Sequence, residues 1–170
     1  MNINNTVHSL FEDGLIGIGL NPTSAQSKMS SATNLIDLLH DGFYIVFLLK
    51  QQYIPYNVDE FRDKILNLLN HFENQARKLQ FSADDIHDAK YAYCALLDET
   101  VVTQQNAQFF DLQNNWMISP LQLSLFGSQL AGYRFFEILE FLRSQGKDRL
   151  AALEVFHYCM LLGFYGKFRI

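Results

Sequence analysis

D-A-K-Y-A-Y-C-A-L-L-D-E-T, residues Asp88 to Thr100, is the stretch on which the fold turns. At 100° per residue, Ala89, Ala92, Tyr93, Leu96 and Thr100 form one stripe, while Tyr91, Cys94, Leu97, Val101 and Val102 cover much of the opposite side. A helix that is apolar nearly all round is normally enclosed by neighbours on several sides. Asp98 falls on the side of Tyr91 and Cys94, and Glu99 stacks over Ala95 and Leu96, so neither acid has an evident solvated face. A buried carboxylate without a partner costs several kcal/mol, so each of the two needs donors or a wet groove.

The rest of the chain supplies the enclosure. Its 170 residues are 49% hydrophobic and 14% aromatic, enough for one domain with a substantial core. A formal charge of -5 with thirteen scattered Lys and Arg residues argues against a nucleic-acid footprint. Cys94 and Cys159 both lie in apolar helical patterns, where cysteine behaves as a small hydrophobe. No run approaches the roughly 18 to 20 apolar residues of a membrane span, and the G-L-I-G-I-G-L segment near the start is short and follows Glu12 and Asp13.

Working outward, Ser82-x-x-Asp85 is a capping box that opens the central helix, predicted from about Ala83 to Thr103. Upstream, Asn57 caps a helix whose stripe is Phe61, Ile65, Leu68, Leu69, Phe72, Ala76 and Leu79, with Arg62 and other polar residues mostly elsewhere. Before it, Asn21-Pro22 starts a pattern through Ala25, Met29, Ala32, Ile36, Leu39, Phe43 and Val46, predicting one long helix to about Gln52 with a bend at Gly42. Residues 1 to 20 lack a sustained period and are expected to be a tail. Downstream, periodicity stops between Val102 and Ser119, which predicts a long Gln- and Asn-rich loop carrying Phe109, Phe110, Leu112 and Trp116. A short helix from Ser119-Pro120 to Phe126 follows, and then one from Tyr133 to Ser144 with Phe135, Ile138, Leu139 and Leu142 inward. Asp148 caps the last helix, where Leu150, Leu153, His157, Met160 and Leu161 share a face, and Gly163 ends it. No strand alternation occurs, so the class is all-α.

Catalytic and cofactor patterns fail on spacing. There is no H-E-x-x-H, and His8, His40, His71, His87 and His157 have no second ligand at helical spacing, so no metal site is expected. Gly17-x-Gly19 lacks the third glycine of a dinucleotide loop, so no cofactor is expected either. Asp98 and Glu99 diverge by 100° and cannot flank one scissile bond. The expectation is no catalytic residue and no enzyme.

Three blocks together, D-A-K-Y-A-Y-C-A-L-L-D-E-T, F-G-x-x-L-A-G-Y-R-F-F-E-I-L (Phe126 to Leu139) and L-G-F-Y-G-K-F-R (Leu162 to Arg169), resemble the DotU/TssL family, also called IcmH, of bacterial secretion-system inner-membrane proteins. The resemblance covers about residues 21 to 170. It implies an all-α cytoplasmic domain of about six to eight helices, packed as two bundles in a hook-like shape. It also implies a tether by one C-terminal transmembrane helix, which is absent from this chain and expected after Ile170. The implied role is structural: a docking component of an inner-membrane complex, facing the cytoplasm. Its implied partners are an IcmF/TssM-type protein and, in type VI systems, the baseplate, with self-association also open. A type IVB (Dot/Icm) homologue that stabilises IcmF, or a soluble all-α adaptor, is the alternative, since Thr103 leads into Gln104-Gln105-Asn106 where many type VI members carry a T-P-W-G-type segment.

The family's acidic pair matches Asp98 and Glu99, which the resemblance assigns with Trp116 to a partner-binding groove. Its closing signature matches Gly163, Phe164, Gly166, Lys167, Phe168 and Arg169. The residues themselves leave a second reading open, in which the two acids hold Lys167 or Arg169 and the closing segment in place.

Overall fold

The structure, a computed structural model, describes residues 34–128 and 130–169. The tail assigned to residues 1 to 20 and the helix start at Asn21-Pro22 lie outside the described residues. Every regular element among the described residues is helical, as the missing strand alternation predicts. The α-helices are α1 (Leu35–Leu38), α2 (His40–Lys50), α3 (Val58–Lys78), α4 (Ala83–Val102), α5 (Phe110–Ile118), α6 (Leu121–Phe126), α7 (Ala131–Ser144) and α8 (Leu150–Leu161). Single 3-10 turns stand at Ala107–Phe109, Gly146–Arg149 and Gly166–Phe168.

α4 is the spine. Ser82 Oγ accepts the Asp85 N–H at 3.0 Å and opens the helix as the capping pattern predicts. Its apolar residues on all sides are then covered in turn. α8 runs along it, and α2, α3, α5, α6 and α7 pack around the remaining faces. α1, α2, α3 and α8 form one group, while α5 and α6 each pack on α4 and α7 packs on both α4 and α8. α3 buries Phe61, Ile65, Leu69, Phe72 and Ala76 at spacings of three and four, with Leu68 and Leu79 half-buried beside them. Both cysteines are buried and free, and desolvation pushes both thiols up, as befits small core residues.

Four sequence expectations change. The helix expected to run on to Gln52 is interrupted at Leu39, three residues before Gly42. A Cβ at Gly42 would lie 2.8 Å from the Tyr93 ring, and the Tyr93 hydroxyl donates to Gly42 O at 3.1 Å. Gly42 therefore lets α2 sit directly on α4. Second, the expected loop before Ser119 is a 3-10 turn and α5, which bury Phe109 and then Leu112 and Trp116 at spacings of three and four. The amides that hide this period close the end of α4 instead: Gln104 Nε2 donates to Thr100 O at 2.9 Å, and Gln113 Nε2 to Gln104 O at 2.8 Å and Val101 O at 3.2 Å.

Third, α8 turns Ala152, Val155, Phe156 and Cys159 inward, leaving Leu150, His157 and Leu161 exposed. α8 carries apolar residues on every side, so its period cannot choose the face; the small Ala152 and Cys159 allow close approach to the core. Fourth, Asp148 lies in the preceding 3-10 turn, and no side chain caps α8. Gly163, at φ +90, does end that helix, with the Gly163 N–H on Met160 O and the Phe164 N–H on Cys159 O.

Candidate docking site

Asp98 and Glu99 are adjacent on α4, and the 100° between them sends each to a different segment. Asp98 points between α5 and α6. One of its oxygens accepts Trp116 Nε1 at 2.7 Å and Leu121 N at 2.9 Å, and the other accepts Gln122 N at 2.8 Å. Pro120, at the N-cap position of α6, supplies no side-chain acceptor, so an acid from another helix satisfies the first free N–H groups. The Arg62 guanidinium lies 4.4 Å over the Trp116 ring and donates to Ser119 O at 2.6 Å. Burial raises the Asp98 carboxyl above its usual range, while the Gln122, Leu121 and Trp116 hydrogen bonds and the Arg62 charge pull it back down.

Glu99 points to the closing segment. Its carboxylate accepts Tyr165 N at 2.9 Å and Gly166 N at 2.7 Å, and pairs with Arg169 at 3.2 Å. The turn it grips is built on glycine. Gly166 has φ +50, and a Cβ there would lie 2.9 Å from Gly132 O at the start of α7. Phe164 drops into the core against Phe135, ring centroids 4.2 Å apart. Lys167 covers the Phe136 and Phe168 rings, so Arg169 is the member of the basic pair that reaches Glu99. Lys50 stands nearby; burial lowers its pKa most, Glu99 raises it and Arg169 lowers it further. Gly132, Gly166 and Glu99 belong to the three separate sequence blocks, and the fold brings all three to one corner.

Asp98 is only 8% exposed and Trp116 is wholly buried, so these two and Glu99 do not line one open groove. Asp98 with Trp116 forms an internal anchor, and Glu99 forms a second anchor about the closing segment. Beside the first anchor, Met117 is 55% and Ile118 77% exposed. Beside the second, Tyr165 and Phe168 are exposed. Arg62 lies off the apolar stripe of α3, and nothing in that period marks it as a cover over Trp116. The ion pairs of Arg149 with Asp85 and Asp88, both 2.7 Å, likewise have no sequence signal, because the partners are far apart along the chain. Among the described residues no group of His, Cys, Asp and Glu is placed to hold a metal, and no helix is long and apolar enough to cross a membrane.

A family model described as the type VI secretion system protein DotU matches residues 34–170. No curated protein sequence matches this chain. Of solved structures, the cytoplasmic domain of TssL from Acinetobacter baumannii is 76% identical with a TM-score of 0.80, over 82% of this chain and 87% of that one. SciP/TssL from enteroaggregative Escherichia coli 042 is 24% identical with a TM-score of 0.68, over 82% of this chain and 79% of that one, a likeness of fold.

Proposed function

Because this chain belongs to the DotU/TssL family of type VI secretion proteins, we propose that it is a docking component of an inner-membrane secretion complex, joining an IcmF/TssM-type protein to the cytoplasmic baseplate. The role is structural. The observation that carries the reading is the pair of internal anchors: adjacent acids on the most enclosed helix fix two surface segments, and each segment presents large apolar side chains to solvent. Solvent-exposed Met117 and Ile118 on a rigid support are the material of a protein contact. Asp98, Glu99 and Trp116 enter this reading as the supports of the contact surface, and Gly163 to Arg169 as its second edge. The domain sits at the cytoplasmic face of the inner membrane in this reading.

Co-expression tests it. Met117→Asp/Ile118→Asp and Phe168→Asp variants are purified alongside a tagged IcmF/TssM-type cytoplasmic region and, separately, tagged baseplate components. The wild type co-purifies with both partners, and at least one variant loses one partner while keeping its helical circular dichroism and melting temperature. Folded variants that all co-purify like the wild type would overturn the reading. Sedimentation of the same proteins reads out self-association through these residues.

A further inference from the structure

Two turns before Asp98 on the same side of α4, a buried hydroxyl lacks a partner. Tyr91 is 1% exposed, its ring stands edge-on to Phe126 at 5.0 Å, and its hydroxyl makes no hydrogen bond. Its main-chain oxygen is already used, accepting Gln122 Nε2 at 2.8 Å. A buried polar group left unpaired costs about as much as a lost hydrogen bond, so a hydroxyl kept in this state is a signal that a partner is missing. The Tyr91 side chain lines a cavity of about 270 Å³ between α4, α6 and the start of α7. His87, Leu125, Phe126, Ser128 and Arg134 complete the lining.

Arg134, Ser128 and Tyr91 bring donors to this lining, and His87 brings one ring nitrogen. Among the described residues the Arg134 guanidinium has neither an ion pair nor a side-chain hydrogen bond, and Glu137, one turn further along α7, does not engage it. Ser128 Oγ accepts the Leu130 N–H at 3.2 Å, which leaves its own proton free to donate. His87 Nδ1 donates to Asp88 at 3.2 Å, which makes Nε2 of the neutral ring an acceptor at the rim. No carboxylate lines the cavity, although the Glu137 charge reaches the Tyr91 hydroxyl from one turn along α7 and Arg134 opposes it. Burial pushes the Tyr91 hydroxyl up to about 12, so it stays a donor throughout the neutral range.

We propose that this cavity is a carboxylate-binding site, in which Arg134 forks onto the anion, the Tyr91 and Ser128 hydroxyls complete its shell, and Leu125 and Phe126 receive a short apolar stem. A fixed positive charge flanked by two hydroxyl donors selects an anion, and the planar guanidinium fits a planar carboxylate two atoms at a time. One guanidinium balances one carboxylate charge, whereas the second charge of a phosphate would be left uncompensated against the apolar walls. The carboxylate comes either from an acidic side chain of a partner protein or from a small free acid; the chemistry of recognition is the same. The site uses none of the residues of the docking surface, so either proposal stands if the other falls.

The test is amide NMR on the ¹⁵N-labelled 170-residue chain, titrated with N-acetyl-glutamate-N-methylamide, with butyrate, and with the matching glutamine amide. The expected result is a saturable shift at His87, Tyr91, Ser128 and Arg134, including the Arg134 side-chain N–H, with at least one carboxylate and not with the glutamine control. Arg134→Met, at an exposed position, should weaken that binding by about tenfold or more, and Tyr91→Phe by a smaller factor. Tighter binding of the blocked glutamate assigns the site to a protein acid, and tighter binding of butyrate assigns it to a free acid. Absence of a saturable shift with either carboxylate, equal shifts with the glutamine control, or undiminished binding by Arg134→Met would overturn the proposal.

Discussion

Replacing Asp98 by Ala should be among the most damaging single changes in this protein. The carboxylate accepts three buried donors, Trp116 Nε1, Leu121 N and Gln122 N, and alanine leaves all of them without that acceptor. Each unsatisfied buried donor costs roughly 1–3 kcal/mol. Removing a desolvated charge returns part of that sum, since burial already raises the Asp98 carboxyl above its usual range. The net loss is about 3–5 kcal/mol, in the range found when one partner of a buried charged network is deleted. For a chain of this length that corresponds to a fall in melting temperature of roughly 6–20 °C. Urea unfolding and thermal melts read the stability. The single tryptophan gives an independent local readout, because Trp116 is the anchored group itself and its emission should shift to the red as the indole N–H gains water. Asp98→Asn keeps one acceptor oxygen but adds a donor, so it should fall between alanine and the wild type. A loss under about 1 kcal/mol with unchanged emission would refute the view that Asp98 is a structural anchor.

The closing turn and the buried tyrosine give further outcomes. Gly166→Ala places a Cβ 2.9 Å from Gly132 O at a residue with φ +50, so it should cost about 1–3 kcal/mol in urea unfolding, whereas Gly127→Ala, with open space around it, should show only the conformational part of that loss. Tyr91 has a folded pKa of about 12 against an ordinary 10.0, so its neutral form stabilises the fold fully below pH 10, and that contribution disappears as pH rises through 12. Ultraviolet titration with stability measured from pH 9 to 12 should show this loss, and Tyr91→Phe should remove its share of it.

The parts of the fold that announce themselves in the sequence are those where cap and period agree. Asn57 and Ser82 each precede an apolar helical pattern, and α3 and α4 begin at those caps. The enclosure of α4 was readable because its apolar residues leave no free face. α5 was not, since Phe110, Met117 and Ile118 face solvent among its Asn residues and blur the period of Phe109, Leu112 and Trp116. In α8 the composition was readable and the orientation was not, because apolar residues on all sides offer two equivalent stripes until packing selects the one with Ala152 and Cys159. The two acids were visible as misfits on an apolar helix. The hold of Glu99 on Arg169 and the closing segment is one of the two readings the sequence left open, whereas the Asp98 donors at the start of α6 were not legible, since main-chain N–H groups carry no residue signature. The cavity at Tyr91 was hidden as well: His87, Ser128 and Arg134 meet only through tertiary packing.

The claim at the centre of this account is that Asp98 supports a contact surface which Met117 and Ile118 themselves make. Equilibrium binding of the IcmF/TssM-type or baseplate partner, measured on Asp98→Asn and Ile118→Asp at a temperature where both are folded, tests it directly. The account predicts that Ile118→Asp weakens binding by about tenfold or more, as loss of an interface anchor does, while folded Asp98→Asn changes it by roughly threefold at most. A folded Asp98→Asn protein that loses binding while Ile118→Asp binds like the wild type would contradict it, and would make the carboxylate itself the point of contact.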